Sequence, residues 1–141
     1  MRILDVVIYT DKLDEVRNFY QRHFAFDFDT KLPTAFSMYV FGEARITYID
    51  AASAGASPSQ GIVLRFGMPY PNLERDRLLT AGVTCSELRV ENWGPFYGEQ
   101  VRYYAMTDPS QTQILFFEDR YGHDKQLMKT GSGVETRELQ K

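Results

Sequence analysis

The order of predicted secondary structure repeats once along the chain, and this repeat limits the folds available to it. In the first half, a strand-like segment at residues 3–10 precedes an amphipathic helix and three further strand-like segments. The same order returns roughly sixty residues later. Residue identity between the halves is weak, so the repeat is one of pattern. It predicts an α+β fold built from two βαβββ modules.

Apolar spacing and turn residues set the predicted bounds of the elements. Asp11 is expected to cap the first helix, which carries Leu13, Val16 and Tyr20 at helical spacing. The second helix is predicted at residues 72–81, with Gly82 as its C′ residue. The other strands are predicted at 26–30, 35–41, 44–50, 62–66, 83–90, 100–107 and 113–118.

A stretch of small residues separates the two halves. Residues 51–60 (AASAGASPSQ) have neither charge nor hydrophobic periodicity, which is typical of a linker. The predicted organisation is therefore a first module at 1–50, a linker at 51–60, a second module at 61–118 and a C-terminal tail at 119–141. The tail carries few apolar side chains, so we expect it to end loosely.

Charge and cysteine content narrow the function classes. Sixteen Lys and Arg against 19 Asp and Glu give a formal charge of −3, which disfavours nucleic acid as a partner. Cys85 is the only cysteine and cannot form an internal disulfide. No run approaches the ~18 apolar residues that span a membrane, and the N-terminus does not resemble a signal peptide. We expect a cytoplasmic protein with no membrane partner.

Three residue pairs stand at landmark positions of this repeat. Phe19-Tyr20 closes the first helix, Trp93-Gly94 precedes the penultimate strand, and Asp108-Pro109 opens the last turn. Together they resemble the vicinal oxygen chelate superfamily, which includes glyoxalase I, extradiol dioxygenases and bleomycin-resistance proteins. The resemblance covers about residues 2–119, although 110–112 replace the usual Asp-Gly-Asn. It implies a curled mixed sheet with a central cleft for a small molecule.

The resemblance also implies four places for ligands of a divalent metal. Strand parity and the Asp-Pro turn put Asp5, Thr47, Val63 and Leu115 at these places, where enzymes of the family typically have His and Glu. Valine and leucine offer no donor atom, and a single carboxylate does not hold a transition metal. We therefore predict no metal cofactor, and whether the chain is an enzyme stays open.

Eight residues are candidate ligand contacts, because strand parity or the Trp93 loop places them at the cleft. Asp5 interrupts an apolar strand, so it must be paired, hydrogen-bonded or exposed in a cavity, with Arg45 or Arg65 as the expected ion-pair partner. An acidic surface suits a cationic ligand, whereas these arginines suit an acid. The full set is Asp5, Tyr9, Arg45, Thr47, Arg65, Trp93, Leu115 and Phe117.

The leading hypothesis is a metal-free, homodimeric small-molecule binding protein, similar to the bleomycin-resistance branch, that holds an aromatic or amphiphilic ligand. One alternative is a glyoxalase-like or dioxygenase-like enzyme with a non-standard metal site, or with Asp5 as a base. Another is a structural module whose cleft is collapsed. No catalytic residue is assigned, because His23, His123 and Cys85 fit structural or surface positions better.

Overall fold

The computed structural model describes residues 1, 3–40, 44–92 and 100–119, and within these ranges the predicted order of elements is confirmed. Two helices and eight strands are arranged as two consecutive βαβββ modules, so the α+β prediction is correct for the described residues. The elements are β1 Val6–Thr10, α1 Leu13–His23, β2 Asp27–Asp29, β3 Ala35–Val40, β4 Ala44–Asp50, β5 Val63–Met68, α2 Pro71–Thr80, β6 Arg89–Glu91, β7 Val101–Thr107 and β8 Gln113–Glu118.

Each module forms a four-stranded sheet, and the two sheets have equivalent strand orders. The first runs β1-β4-β3-β2 and the second β5-β8-β7-β6. In the first sheet β1 pairs in parallel with β4, while β3 pairs antiparallel with both β4 and β2. The repeat in sequence pattern is therefore a repeat in topology. None of the described helices is long and apolar enough to cross a membrane.

The chain divides into two compact units. The first contains residues 1–62 together with the turn at 107–113. The second contains residues 63–106 and, among the described residues, 114–119. The Asp108-Pro109 turn thus belongs to the first unit, although it leads into the last strand of the second.

Helix α1 packs on one face of the first sheet. Its Val16 and Tyr20 are fully buried, and the Tyr20 and Tyr48 rings lie 5.8 Å apart. The sheet residues on this face have even numbers, as strand alternation requires. They are Ile8, Phe36, Met38, Ile46 and Tyr48. The odd-numbered side chains of β3 and β4 consequently lie on the opposite face.

Residues 51–60 follow the edge of β1 in the first unit. Ala51 is buried, and Ala51 N donates to Thr10 O at 2.9 Å. Ser59 makes two bonds to Tyr9: Ser59 N donates to Tyr9 O at 2.9 Å, and Tyr9 N donates to Ser59 Oγ at 3.0 Å. These bonds satisfy polar groups on the open edge of β1.

The end of α2 follows from Gly82, whose predicted place after the helix is confirmed. Gly82 has φ +87°, a left-handed conformation that L side chains rarely adopt. Its N–H bonds Leu79 O at 3.0 Å, and Val83 N bonds Leu78 O at 2.9 Å. This pair of bonds is the Schellman arrangement, and it satisfies two carbonyls at the helix end.

Several predicted boundaries differ from the structure. The strand predicted at 3–10 begins at Val6, so Asp5 precedes the strand and does not interrupt it. Two other differences have a local reason. Lys12, not Asp11, is the N-cap of α1, and Thr10 Oγ1 accepts from Lys12 N at 3.0 Å. Near the strand predicted at 83–90, the structure has a strand only at Arg89–Glu91. Ala105 N donates to the side-chain Oγ of Ser86 at 2.8 Å, where a β-ladder would have a backbone carbonyl as acceptor. The predicted turn at 41–43 and the tail from 120 lie outside the described residues.

Candidate functional site

Polar side chains converge on the face of the first sheet opposite α1. The register of β3 on β4 sets Ser37 beside Thr47 and Tyr39 beside Arg45. The register of β1 on β4, continued by one residue, brings Asp5 beside Arg45. We call these five residues the sheet-face cluster. Strands β3 and β4 and the residue before β1 therefore supply one group of polar side chains on one face of the sheet.

A directed chain of hydrogen bonds runs through the sheet-face cluster. Thr47 Oγ1 donates to Asp5 Oδ2 at 3.0 Å, and Ser37 Oγ lies 2.8 Å from Thr47 Oγ1. Because the threonine hydroxyl has one hydrogen and gives it to the carboxylate, Ser37 must donate to Thr47. The order Ser37 to Thr47 to Asp5 fixes the orientation of all three side chains.

Arg45 supplies the positive charge of the sheet-face cluster. Its Nε lies 3.5 Å from Asp5 Oδ2, so Asp5 pairs with the first of the two arginines expected for it. The Arg45 Cζ also lies 6.0 Å from the centre of the Tyr39 ring. The pKa of Arg45 is raised, chiefly by the Tyr39 hydroxyl and further by the negative charges of Asp5 and Asp29.

Two more carboxylates lie in the same cross-strand rows. Asp27 pairs with Tyr39 and Asp29 with Ser37, and direct cross-strand neighbours face the same side of a sheet. Asp29 Oδ1 accepts from Lys31 N at 3.2 Å. With Asp5 and Arg45, this face carries more negative than positive charge.

The second sheet carries the other candidate contacts in a different setting. The Arg65 Cζ lies 5.4 Å from the centre of the Phe117 ring. Phe117 is only 4% exposed and packs with Val101 and Tyr103 in an apolar cluster. Leu115 is half-buried on the same strand. In the second unit, the structure thus brings Arg65 and Phe117 together.

A buried network joins two landmarks recognised in the sequence. The Asp108 carboxylate is 2% exposed and accepts from the hydroxyls of Tyr20, at 2.8 Å, and of Tyr48. It also accepts from Ser110 N at 2.8 Å and Thr112 N at 3.1 Å. Burial, first of all, raises the pKa of both tyrosines. The network closes a turn and is inaccessible to a ligand.

Solved structures with this arrangement of elements are known. A lactoylglutathione lyase from Agrobacterium tumefaciens matches with a TM-score of 0.66 at 14% identity, over 83% of this chain and 92% of that one. A bleomycin-binding protein, solved in complex with bleomycin, matches with a TM-score of 0.63 at 11% identity, over 85% of this chain and 100% of that one. A glyoxalase/bleomycin resistance protein/dioxygenase from Alicyclobacillus acidocaldarius matches with a TM-score of 0.59 at 14% identity, over 84% of this chain and 92% of that one.

The chain shares the fold of these structures. The fold that the resemblance to the vicinal oxygen chelate superfamily implies is thereby confirmed. Because these structures are at most 14% identical to the chain, the likeness shows the fold alone. No family model matches the sequence, and no curated protein matches it.

The residues at the four places where the resemblance in sequence implies metal ligands do not fit a divalent metal. Asp5 already accepts from Thr47 and has the Arg45 guanidinium 3.5 Å away, so a positive charge stands beside the only carboxylate among the four residues. In the second sheet, Val63, 50% exposed, and Leu115 present carbon atoms alone. Among the described residues no three His, Cys, Asp or Glu side chains come together to hold a metal ion.

The sequence missed part of the sheet-face cluster. Ser37 and Tyr39 alternate with the buried Phe36 and Met38 along β3, and this alternation was the available signal. Tyr9 is half-buried on β1. Trp93, the remaining candidate contact, lies outside the described residues.

Among the described residues, none of the nucleophile and histidine candidates belongs to the sheet-face cluster. Burial raises the pKa of the half-buried Cys85 thiol, which lowers the fraction of reactive thiolate. His23 ends α1, and its ring lies 5.0 Å from that of Phe19. A cationic side chain there is favoured by the helix dipole. His123 lies outside the described residues.

A pocket of about 280 Å³ lies at the start of α1. Residues 11–15 line it together with Pro33, Thr34 and Asp50, and four of these side chains are carboxylates. It contains none of the eight candidate contacts, and its charge alone does not identify a ligand.

Proposed function

We propose that this chain is a small-molecule binding protein that holds an aromatic or amphiphilic ligand against the sheet-face cluster without a metal. The observation that carries the proposal is the ordered chain from Ser37 through Thr47 to Asp5, with Arg45 at its end. Polar groups whose orientation is fixed by a rigid sheet can align a ligand without a large entropic cost.

Apolar and aromatic surface beside the polar groups supports the same function. Val7 pairs with Thr47 on the face opposite α1 and is 39% exposed, and Tyr39 is half-buried beside Arg45. Such surfaces supply affinity by burial and stacking, while the few polar groups set orientation. The bleomycin-binding protein, solved in complex with bleomycin, has the same fold and supports the proposal by analogy.

A homodimer is part of the proposal. Ile3 and Leu4 precede β1 and are 86% and 65% exposed, and Val6 is also exposed. An apolar surface of this kind is suited to a second copy of the chain. Sedimentation of the wild-type chain and of Leu4→Glu tests this part: the variant should shift towards monomer. A monomeric wild type would contradict it.

The binding proposal is tested with a panel of aromatic and amphiphilic compounds. Binding is measured by thermal shift and then by calorimetry on the full chain, before and after treatment with a chelator. We expect ligands that raise Tm equally in both preparations, because the site needs no metal.

Two variants locate the site. Thr47→Val keeps the shape of the side chain but removes the donor to Asp5, so ligand affinity should fall. Arg22→Gln, on the exposed side of α1, is the control and should bind as the wild type does. A panel without any binder, or ligands that bind Thr47→Val unchanged, would overturn the proposal.

A further inference from the structure

The hydrogen bonds already made within the sheet-face cluster determine which polar groups remain for a ligand. Asp5 uses Oδ2 for both Thr47 and Arg45, and its Oδ1 has no partner among the described residues. Ser37 donates its single hydroxyl hydrogen to Thr47, so it can only accept from a further group. This side of the cluster therefore presents acceptors.

Arg45 presents the opposite chemistry directly beside Asp5. A guanidinium has five N–H donors and no acceptor. The Arg45 Nε is buried and finds no hydrogen-bond partner among the described residues, while the side chain as a whole is 36% exposed. The exposed part of the guanidinium can thus meet a ligand beside Asp5 Oδ1.

The local charges select among groups that could bind there. At 3.5 Å the charges of Asp5 and Arg45 largely offset each other, so neither a free carboxylate nor an ammonium finds an uncompensated partner. Asp27, in the same cross-strand row as this pair, and Asp29, in the neighbouring row, add negative charge that opposes an anion. A divalent cation is opposed by Arg45 itself.

We infer that Arg45 is the resident cation of this site, standing where a divalent metal would otherwise balance charge, and that the ligand carries an aromatic carboxamide. The amide carbonyl accepts from the Arg45 guanidinium, and the amide N–H donates to Asp5 Oδ1. This inference rests on the proposed function and specifies the ligand class of the same site.

Three probes of one size and one ring isomer test the inference: naphthamide, naphthoate and naphthylmethylammonium. Dissociation constants are measured on the full chain at neutral pH by calorimetry. We expect naphthamide to bind about tenfold more tightly than either charged probe, since it alone satisfies both members of the pair. Tighter or equal binding of naphthoate or the ammonium probe would overturn the inference while leaving the proposed function in place.

Variants test the roles of the two residues. Arg45→Met keeps the bulk of the stem but removes the donors, and Asp5→Asn removes the carboxylate; each should weaken naphthamide about tenfold. Arg22→Met is the matched control and should leave it unchanged, with circular dichroism confirming that all three variants fold. Unchanged affinity in both cluster variants would overturn the inference.

The effect of added metal ions on Tm provides an independent test of the inference. Mn²⁺, Zn²⁺ or Ni²⁺ at stoichiometric amounts should not raise the Tm of the wild-type chain. A rise that Asp5→Asn abolishes would show that a metal binds despite Arg45, which would overturn the inference. If none of the three probes binds while another compound of the wider panel does, the inference fails and the proposed function stands; if the whole panel gives no binder, both fail.

Discussion

Tyr20 Oη donates a hydrogen bond of 2.8 Å to Asp108 Oδ2, and so joins α1 to a turn 88 residues later in the chain. Tyr48 of β4 donates to the same oxygen. The other oxygen of Asp108 accepts from the backbone of its own turn. Long-range contacts that end on a buried carboxylate are costly to break, because the charge is then left without partners.

Removing the Tyr48 hydroxyl should destabilise the chain. Tyr48→Phe loses a hydrogen bond to a buried carboxylate, which contributes about 2 kcal/mol. The free energy of unfolding, measured by urea titration, should fall by that amount, and Tyr20→Phe should act in the same direction.

Tyr104→Phe is the matched control for these substitutions. Tyr104 is as fully buried as Tyr48, and its ring stacks on Phe116 at 5.0 Å, but its hydroxyl has no partner among the described residues. Its removal should change the free energy of unfolding by less than about 0.5 kcal/mol, or raise it. A loss as large as that of Tyr48→Phe would show that a partner holds the Tyr104 hydroxyl.

Stability should fall in alkaline solution. Burial raises the pKa of Tyr20 and Tyr48 above their ordinary value of 10.0, so above pH 10 the unfolded chain releases protons that the folded chain keeps. The stabilisation is complete below pH 10 and is lost as pH rises towards the folded-state pKa values. Each tyrosine adds about 1.4 kcal/mol per pH unit to this slope.

Tyr48→Phe tests the alkaline effect. Chemical denaturation at a series of pH values above 10 should give a shallower slope in the variant, by the contribution of one tyrosine. An identical slope in the variant and the wild type would contradict the assignment of this effect to Tyr48.

The fold was predictable because its signals are local. The structure has the alternation of buried side chains predicted for β3 and β4, and Gly82 has the left-handed conformation expected after a helix. Tyr20 of the Phe19-Tyr20 pair donates a hydrogen bond to Asp108 of the Asp108-Pro109 pair. The sixth strand was predicted too long, because the Ser86 side chain accepts a hydrogen bond in place of a backbone carbonyl. Hydrophobic periodicity does not report such a side-chain hydrogen bond.

The candidate site was predictable only in part. Strand parity places Asp5, Arg45 and Thr47 on one face, as expected, because side chains alternate strictly along a strand. Parity does not tell whether a face is covered, and Phe117 proves to be buried in its own cluster. Cross-strand register, which adds Tyr39, depends on pairing partners that a single strand does not encode.

Cys85 should react slowly with thiol reagents. Burial and, to a lesser extent, Glu74 raise the pKa of its thiol, although Arg75 acts against them. At neutral pH, its rate of alkylation should lie below that of a free cysteine peptide and should rise on unfolding in urea. A native rate equal to that of the peptide would contradict this.

Gly67→Ala should destabilise the second unit. A Cβ built at Gly67 would lie 2.8 Å from the Cβ of Asp119, and this atom cannot swing away as the end of a long side chain can. Asp119 N is also bonded to Met68 O at 3.0 Å, which holds the two segments together. Overpacking of this kind costs about 1–3 kcal/mol.

A double-mutant cycle separates this contact from other effects. Asp119→Gly removes the opposing Cβ, so Gly67→Ala should cost less free energy of unfolding in that background than in the wild type. Urea titrations of the four proteins give the coupling directly. Equal costs in both backgrounds would mean that the close approach of Gly67 to Asp119 is not what requires a glycine here. A smaller cost in the Asp119→Gly background would assign the requirement to that one contact, because Gly67 has no positive φ that would demand a glycine by itself.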